Sequence, residues 1–323
     1  MLIENISYLT GIELQKLTYL EKIRNRLYGS FKVRKNNGSY REINPYLCDC
    51  KSTKANQELV EYSRLLKTVH RKLKSILHDI PIPENVFGFK PGENIKRCAL
   101  MHVNKSYVIS IDIKNFFPSV LSDYVFEALK KEGWTSAAAW LVARLVARHG
   151  RLPQGAITSP VASNIAFKEK DKALIEYCDK NHMVYTRYAD DITISTNEEL
   201  TNEKLSQIMQ DIKAIIKPYE INERKLKVYG PNDVHYVLGL VVNKKVNVEK
   251  RYRRAIRAAI YNYIHKHVVP KGVDPIKYKR QLLGKTAYCL YINKISSLQK
   301  QYDELKAFDP NKVQEWNYVL IDS

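Results

Sequence analysis

Two adjacent aspartates, Asp190 and Asp191, stand inside a stretch whose other residues favour a β-strand. The stretch is VYTRYADDIT, residues 184–193, and its aromatic and β-branched residues suit a half-buried pleated surface. Neighbouring carboxylates repel each other, but divalent cations such as Mg²⁺ neutralise that repulsion and prefer carboxylate oxygens as ligands. Because successive strand residues point to opposite faces, both aspartates can reach one metal site only if a turn intervenes.

A third carboxylate, Asp112, lies at the end of a second predicted strand, YVISIDI at residues 107–113. A sheet can bring strand positions that are distant in sequence into one coordination sphere. A metal pair held there would stabilise both the attacking and the leaving oxygen of an in-line phosphoryl displacement. The competing interpretation is that Asp190 and Asp191 are solvated acids of a hairpin, which is the commoner situation for an isolated Asp-Asp pair.

The surrounding sequence predicts the elements that would hold these carboxylates. A β-hairpin is predicted at residues 31–45, with its turn at NNGS, residues 36–39. A loop at residues 151–160 contains Pro and Gly and opens a long helix. The predicted helices cover residues 12–28, 55–78, 121–133, 135–148, 161–178 and 203–217, and further strands are predicted in KLKVYG and HYVLGLVVNKKVNV.

Composition limits the class of protein and the kind of partner. The 323 residues are 45% hydrophobic and 10% aromatic, which predicts a folded core. The formal net charge of +19 favours a polyanionic partner, and nucleic acid is the first candidate. The five cysteines are odd in number and mostly scattered, so we expect a reducing cytoplasm and no disulfide framework. No apolar run approaches the roughly 20 residues that cross a bilayer, so no membrane partner is expected.

Five stretches resemble the reverse transcriptase family in their residues, order and spacing. They are SIDIKNFFPSV (110–120), LPQGAITSPVASNIAF (152–167), YTRYADDITIS (185–195), ERKLKVYG (223–230) and YVLGLVVN (236–243). The resemblance implies an RNA-directed DNA polymerase with the α+β right-hand polymerase fold, which has an antiparallel palm sheet, fingers and a helical thumb. The composition becomes strongly basic from about residue 249, so a domain boundary is predicted just before it. The chain is thereby divided into an N-terminal helical segment at 1–30, fingers and palm at 31–248, and a basic helical thumb at 249–323.

The resemblance also implies roles for individual residues. Two Mg²⁺ ions would be bound by the catalytic residues Asp112, Asp190 and Asp191, together with the backbone C=O of Ile113. The incoming dNTP would be bound by Lys35, Arg41, Phe116, Phe117, Gln154, Gly155 and Lys225. RNA would be bound by His102, Arg251, Arg254, Arg257, Lys279 and Arg280.

The chemistry of these residue types fits the implied roles. Phe117 would occupy the volume of a ribonucleotide 2′-OH and so select deoxyribonucleotides, with Phe116 as the alternative at this position. Charge-assisted hydrogen bonds from Lys35 and Arg41 suit triphosphate oxygens, and Lys225 would protonate the leaving pyrophosphate or order its loop. In a chain this basic, each cation is also compatible with an ordinary solvated surface residue. The histidine of the predicted RNA-binding set is equally compatible with a hydrogen-bonded structural role.

Within the family, the chain resembles the bacterial retron reverse transcriptases. It departs from their usual motifs with Cys98 in place of Asn and Leu238 in place of Thr, and from the common Gln-Gly-x-Pro loop of the family with Ile157 in place of Pro. Membership would imply a structured noncoding RNA as template, synthesis begun at a guanosine 2′-OH, a branched RNA–DNA product, an effector protein from the same locus and a role in antiphage defence. Another bacterial defence or group II-like reverse transcriptase, and a catalytically idle RNA-binding scaffold, remain alternatives.

Overall fold

Twelve α-helices and ten strands lie in the part of the chain that the computed structural model describes, residues 1–35, 38–50, 56–310 and 317–319. The helices are α1 (Ile3–Thr10), α2 (Leu14–Ile23), α3 (Gln57–His78), α4 (Ile95–Leu100), α5 (Phe116–Ser119), α6 (Ser122–Lys131), α7 (Ser136–Leu145), α8 (Ser159–Lys180), α9 (Asn202–Ile216), α10 (Lys250–His265), α11 (Pro275–Ile292) and α12 (Ser296–Ala307). The strands are β1 (Phe31–Arg34), β2 (Tyr40–Ile43), β3 (Tyr107–Asp112), β4 (Val184–Tyr188), β5 (Asp191–Thr196), β6 (Lys227–Tyr229), β7 (Tyr236–Val237), β8 (Leu240–Val241), β9 (Val268–Pro270) and β10 (Asn317–Val319).

The chain divides into two compact units. The first comprises Met1–Cys98 and Ile109–Val228, and the second comprises Ala99–Val108 and Tyr229–Ser323. The boundary predicted just before residue 249 therefore lies inside the second unit. The change to a basic composition marks the start of helix α10, whereas the second unit begins earlier and recruits a short segment that is distant in sequence.

A four-stranded sheet with the order β4-β5-β3-β6 carries the predicted carboxylates. Strands β4 and β5 are antiparallel, and their last pair places Tyr188 opposite Asp191. Strand β5 is buried from Ile192 to Thr196, as expected for a β-branched run in the middle of a sheet. The stretch predicted as one strand is thus two strands joined at Ala189 and Asp190, which confirms the turn that the paired aspartates require.

Helix α8 packs against strand β4 of this sheet, and helix α3 packs in turn against α8. Helix α3 presents a buried stripe and begins at Asn56, whose side-chain oxygen accepts hydrogen bonds from the N–H groups of Glu58 and Leu59. Helix α8 is buried on most of its sides. The apolar residues in its sequence therefore show only a weak helical repeat. The buried stripe of α3 consists of Leu66, Val69, Leu73 and Leu77.

The predicted hairpin at residues 31–45 is present as β1 and β2. The strands are antiparallel, with Val33 opposite Arg41, and both are largely exposed. The predicted turn residues Asn36 and Asn37 lie outside the described residues.

The second unit contains the basic helices. Helices α10, α11 and α12 pack against one another through apolar residues such as Ile256, Ile260 and Leu282, while most Lys and Arg side chains lie outside. Strand β9 pairs in parallel with β10, and β7 pairs with β8 as a short antiparallel hairpin. Among the helices described, none is long and apolar enough to cross a membrane.

Candidate active site

The β4–β5 turn presents two carboxylates at one end of the sheet. Ala189 has a φ of +58°, a left-handed conformation that L-residues rarely adopt, and Asp190 and Asp191 follow it directly. Gly88 lies against this turn, and a Cβ atom added there would be 2.3 Å from the backbone N of Ala189. Close backbone packing therefore fixes the turn from outside.

Asp112 is held next to the turn by backbone and side-chain hydrogen bonds. The N–H of Ile113 donates to the C=O of Asp190 at 2.9 Å and so joins the end of β3 to the turn. The carboxylate of Asp112 accepts a hydrogen bond from the side-chain amide of Asn222 at 3.0 Å and another from Nζ of Lys225 at 2.7 Å. Asn222 also donates its backbone N–H to the C=O of Asp112 at 2.8 Å. These bonds fix the carboxylate before any ligand arrives.

The three carboxylates lie within electrostatic reach of one another. Burial, followed by the negative charges of Asp190 and Asp112, raises the pKa of Asp191 to about 6. Burial and the charge of Asp112 also raise the pKa of Asp190, against the opposing charges of Lys225 and Arg41. The site thus carries negative charge that its own cations only partly compensate.

The donor set fits a hard divalent cation. Buried, mutually repelling carboxylates gain most from a compact dipositive ion, and Mg²⁺ prefers such oxygen ligands. Across the described ranges, however, no three His, Cys, Asp or Glu side chains are already arranged around a common metal position. Asp112 instead bonds Asn222 and Lys225. Metal binding by the three aspartates and by the C=O of Ile113 remains a prediction.

The two adjacent phenylalanines, Phe116 and Phe117, differ in how far they are buried. Phe116 is only 3% exposed and packs edge-on against Phe167 in the core. Phe117 is half-buried and contacts the ring of the exposed Phe89. Phe117 is therefore the one of the pair that a nucleotide can reach, and its role in sugar selection remains a prediction.

The predicted phosphate-binding cations lie on the β1–β2 hairpin. Arg41 is exposed, and its positive charge partly offsets the rise in the pKa of Asp190, so the two groups lie within electrostatic range. Lys35 is half-buried beside the turn and donates its backbone N–H to the C=O of Ser39 at 2.7 Å. Lys225 lies outside this hairpin; its side chain is exposed, and its ammonium group bonds Asp112.

The loop at residues 151–160 contacts the base of that hairpin. The C=O of Gln154 accepts a hydrogen bond from the N–H of Asn44 at 2.7 Å. Gly155 has a φ of +118°, and a Cβ atom there would be 3.3 Å from the C=O of Asn44. Glycine is thus required by backbone conformation, and these contacts hold Gln154 and Gly155 beside the β1–β2 hairpin.

A buried imidazole, His70 on α3, supports the same loop. Its Nε2 lies 3.0 Å from the C=O of Leu145 and must donate to it, so Nδ1 accepts. The hydroxyls of Tyr46 and Thr158 lie 2.7 and 3.2 Å from Nδ1. Burial lowers the pKa of His70 to about 4, so the ring is neutral near pH 7.

The predicted RNA-binding residues of the second unit differ in exposure. Arg251, Arg254, Arg257 and Arg280 are exposed, and the three on α10 follow the i, i+3, i+6 spacing of one helix face. Lys279 is half-buried, and its ammonium group donates to the C=O groups of Lys306 and Phe308 at the end of α12, which is a structural role.

His102 does not fit the expected contact with RNA. Its side chain is 0% exposed in the second unit, and burial, followed by the charge of Lys105, lowers its pKa to about 3. A side chain without accessible atoms cannot contact RNA in this arrangement. The burial of His102 could not be predicted from the stretch ENIKRCALMH, residues 93–102, because polar and apolar residues are mixed in it in equal number.

Three further residues at the site were not singled out from the sequence: Gly88, Arg187 and Asn222. Arg187 could have been found, since a charged residue inside an otherwise apolar strand must have a buried partner. Asn222 and Gly88 carry no comparable signal, because their importance depends on contacts with residues far away in sequence.

Comparisons with known proteins agree with this geometry. The family model described as "Reverse transcriptase (RNA-dependent DNA polymerase)" matches residues 33–242, which is more than half of the chain. The Retron Ec86 reverse transcriptase of Escherichia coli is 27% identical over 260 residues, which cover 77% of this chain and 78% of that protein. The Retron Se72 reverse transcriptase of Salmonella heidelberg is 27% identical over 267 residues, which cover 80% of this chain and 66% of that protein. These relatives confirm the predicted similarity to retron reverse transcriptases.

Solved structures show the same fold at low sequence identity. A telomerase from Candida albicans has a TM-score of 0.51 and 11% identity, with 88% of this chain and 57% of that chain covered. An apo telomerase from Candida tropicalis has a TM-score of 0.51 and 10% identity, with 88% and 59% covered. The predicted α+β polymerase fold is thereby confirmed. With the family match, the paired aspartates on their turn and this fold in agreement, the chain belongs to the reverse transcriptase family of RNA-dependent DNA polymerases.

Proposed function

We propose that this chain is the RNA-directed DNA polymerase of a retron, which copies part of a structured noncoding RNA into branched, RNA-linked single-stranded DNA. The observation that carries the proposal is the gathering of Asp112, Asp190 and Asp191 at one end of the sheet. The similarity to curated retron reverse transcriptases supports the narrower assignment.

The proposed chemistry is addition of a dNTP to a primer terminus with release of pyrophosphate. Two bound Mg²⁺ ions would supply Lewis-acid activation and neutralise charge on the attacking and leaving oxygens. Asp112, Asp190 and Asp191 would hold these ions, and the raised pKa values of Asp190 and Asp191 are consistent with a site that lacks positive charge. Lys225 would protonate the pyrophosphate, and the contact of its ammonium group with Asp112 supports that role.

Nucleotide selection would depend on residues around the turn and on the β1–β2 hairpin. Lys35 and Arg41 would bind the triphosphate, and the electrostatic influence of Arg41 on Asp190 supports this assignment. Gln154 and Gly155 would line the pocket for the base and sugar. Phe117 would exclude a 2′-OH, which its half-buried position supports.

Nucleic acid would be bound by the basic second unit. The exposed residues Arg251, Arg254, Arg257 and Arg280 would contact phosphates, in keeping with the net charge of +19. The partners would be the noncoding RNA, the growing RNA–DNA product and an effector protein from the same locus. The cellular role would be antiphage defence in the cytoplasm.

The nucleic acid that co-purifies with the protein tests this proposal. We expect DNA covalently joined to RNA through a 2′-linked branch when the protein is expressed with its neighbouring noncoding sequence. Linear cDNA would point to a different bacterial reverse transcriptase, and RNA without DNA to an idle scaffold. A variant with Asp190→Asn and Asp191→Asn should bind the RNA but make no DNA. DNA synthesis by that variant would refute the metal assignment.

A further inference from the structure

Arg187 is a fully buried cation next to the β4–β5 turn that carries Asp190 and Asp191. It lies on β4, two residues before Ala189, and its side chain is 0% exposed. Its guanidinium carbon is 4.8 Å from the ring centre of Phe167 and 5.7 Å from that of Phe116. A charge in such surroundings is tolerated only with a complete set of partners.

Asp171 on helix α8 supplies the opposite charge. Nε and Nη2 of Arg187 donate to the two oxygens of Asp171 at 2.8 and 2.7 Å, which is a bidentate pair. The hydroxyl of Tyr185 donates to the same carboxylate at 2.6 Å. Burial alone would lower the pKa of Arg187, but the Asp171 carboxylate reverses the effect and raises it, so the guanidinium stays charged.

The remaining guanidinium nitrogen faces the turn. Nη1 of Arg187 donates to the C=O of Ala189 at 2.9 Å and to the side-chain oxygen of Asn164 at 3.1 Å. Asn164 in turn donates its amide to the C=O of Gly88 at 2.8 Å, and Gly88 packs against the turn. The guanidinium therefore links helix α8, the segment at residue 88 and the turn itself.

The two peptide groups on either side of Asp190 are anchored from opposite directions. The C=O of Ala189 accepts from Arg187, and the C=O of Asp190 accepts from the N–H of Ile113. Together these bonds fix the direction of the Asp190 side chain relative to Asp112. Without the bond from Arg187, the left-handed Ala189 loses the contact that holds its strained conformation.

We propose that Arg187, held by Asp171 and Asn164, is a positioning residue that sets the β4–β5 turn so that Asp190 and Asp191 bind divalent cations together with Asp112. This inference rests on the proposed metal-dependent function. A buried ion pair adds little net stability, because desolvation offsets the attraction between its charges. The pair can therefore be removed as a unit, and the positioning role can be separated from folding.

The main test replaces the pair by apolar residues of similar size, Arg187→Met with Asp171→Leu. We expect the melting temperature to fall by no more than about 10 °C, because the buried hydroxyl of Tyr185 loses Asp171 as its acceptor. The affinity for Mn²⁺ alone, measured by electron paramagnetic resonance, should fall about 10- to 100-fold, as for lost supporting contacts at metal sites. The kcat for DNA synthesis should fall about 100-fold with KM for dNTP nearly unchanged.

A second buried pair in the same unit provides the matched control. Glu21 and Arg24 are almost fully buried, their side chains are 2.7 Å apart, and they are well removed in sequence from the turn. Glu21 also accepts a hydrogen bond from Nε of Arg144, which is partly exposed and can be solvated when Glu21 is replaced. The double variant Glu21→Leu with Arg24→Met should keep the Mn²⁺ affinity and kcat of the parent protein. Equal losses in both double variants would show a general effect of losing a buried pair and would overturn the proposal.

The variant Arg187→Lys keeps a positive charge beside Asp171 and is therefore expected to fold even if the double variant does not. One ammonium group cannot reproduce the planar fork that reaches both Asp171 and Ala189, so kcat and Mn²⁺ affinity should still fall about tenfold. Parental kcat and Mn²⁺ affinity in a folded Arg187 variant would refute the positioning role. The variant Asp190→Asn distinguishes failure of the metal assignment from failure of the positioning role of Arg187. DNA synthesis by this variant would refute the metal assignment, independently of the result for the Arg187 variants.

Discussion

Replacement of Gly88 by Ala is expected to reduce kcat for DNA synthesis about 100-fold while the protein stays folded. A Cβ atom at this position would be 2.3 Å from the backbone N of Ala189 and 2.9 Å from the backbone C of Tyr188. Neither atom can rotate away, since both belong to the main chain of the turn. An ordinary contact begins at 3.4 Å, so the turn must move by about 1 Å. A displacement of that size in catalytic groups costs on the order of 100-fold in rate.

The measurement is steady-state incorporation of dNTP on a primed RNA template, together with the melting temperature. Gly133→Ala is the matched control, because Gly133 has a φ of +79° but no atom within 4 Å of an added Cβ. That change introduces backbone strain without a collision, so it should lower stability by about 1 kcal/mol and leave kcat unchanged. A folded Gly88→Ala protein with kcat within threefold of the parent would show that the turn tolerates the shift.

Three other predictions concern selectivity, pH and RNA binding. Phe117→Val should raise the kcat/KM for ribonucleotides relative to deoxyribonucleotides about tenfold or more. Phe116→Val should mainly lower the melting temperature, because Phe116 lies in the core. The reverse pattern would assign sugar selection to Phe116. The pKa of His70 is about 4 in the folded protein and about 6.5 in the unfolded chain, so the unfolded chain binds the proton at a higher pH. The free energy of unfolding should therefore fall by about 3 kcal/mol as pH falls from 6.5 to 4, and urea titrations of His70→Gln should show a smaller fall; equal falls would disprove the assignment. Arg254→Gln should weaken RNA binding and reduce the salt dependence of log K by nearly one, whereas Lys279→Gln should lower the melting temperature instead; equal losses of RNA affinity would contradict the difference in their contacts.

The local structure around the paired aspartates could be predicted from the sequence. A β-branched pattern interrupted by Asp190 and Asp191 demands a turn, because alternate strand residues point to opposite faces, and the β4–β5 register has that turn. Helix α3 was predictable for the same kind of reason, since its apolar stripe repeats at helical spacing. Both are short-range patterns that require no knowledge of distant contacts.

What the sequence could not supply depends on contacts between distant residues. Asp112 bonds the side chains of Asn222 and Lys225, which lie more than a hundred positions further along the chain. No sequence pattern indicates that these side chains bond Asp112. The burial of His102 follows from the inclusion of Ala99–Val108 in the second unit. The choice between adjacent aromatic residues likewise depends on which one the core encloses.

The contacts at the base of the β1–β2 hairpin limit how chimeric enzymes can be made from this protein and its relatives. Asn44 donates to Gln154, and the hydroxyl of Tyr46 reaches His70, so the hairpin shares its anchoring atoms with the loop at 151–160 and with α3. A host that lacks a histidine at the position of His70 would leave the hydroxyl of a transplanted Tyr46 without this partner. Crossover points that take the hairpin base and α3 from the same parent are therefore expected to be better tolerated than points between them.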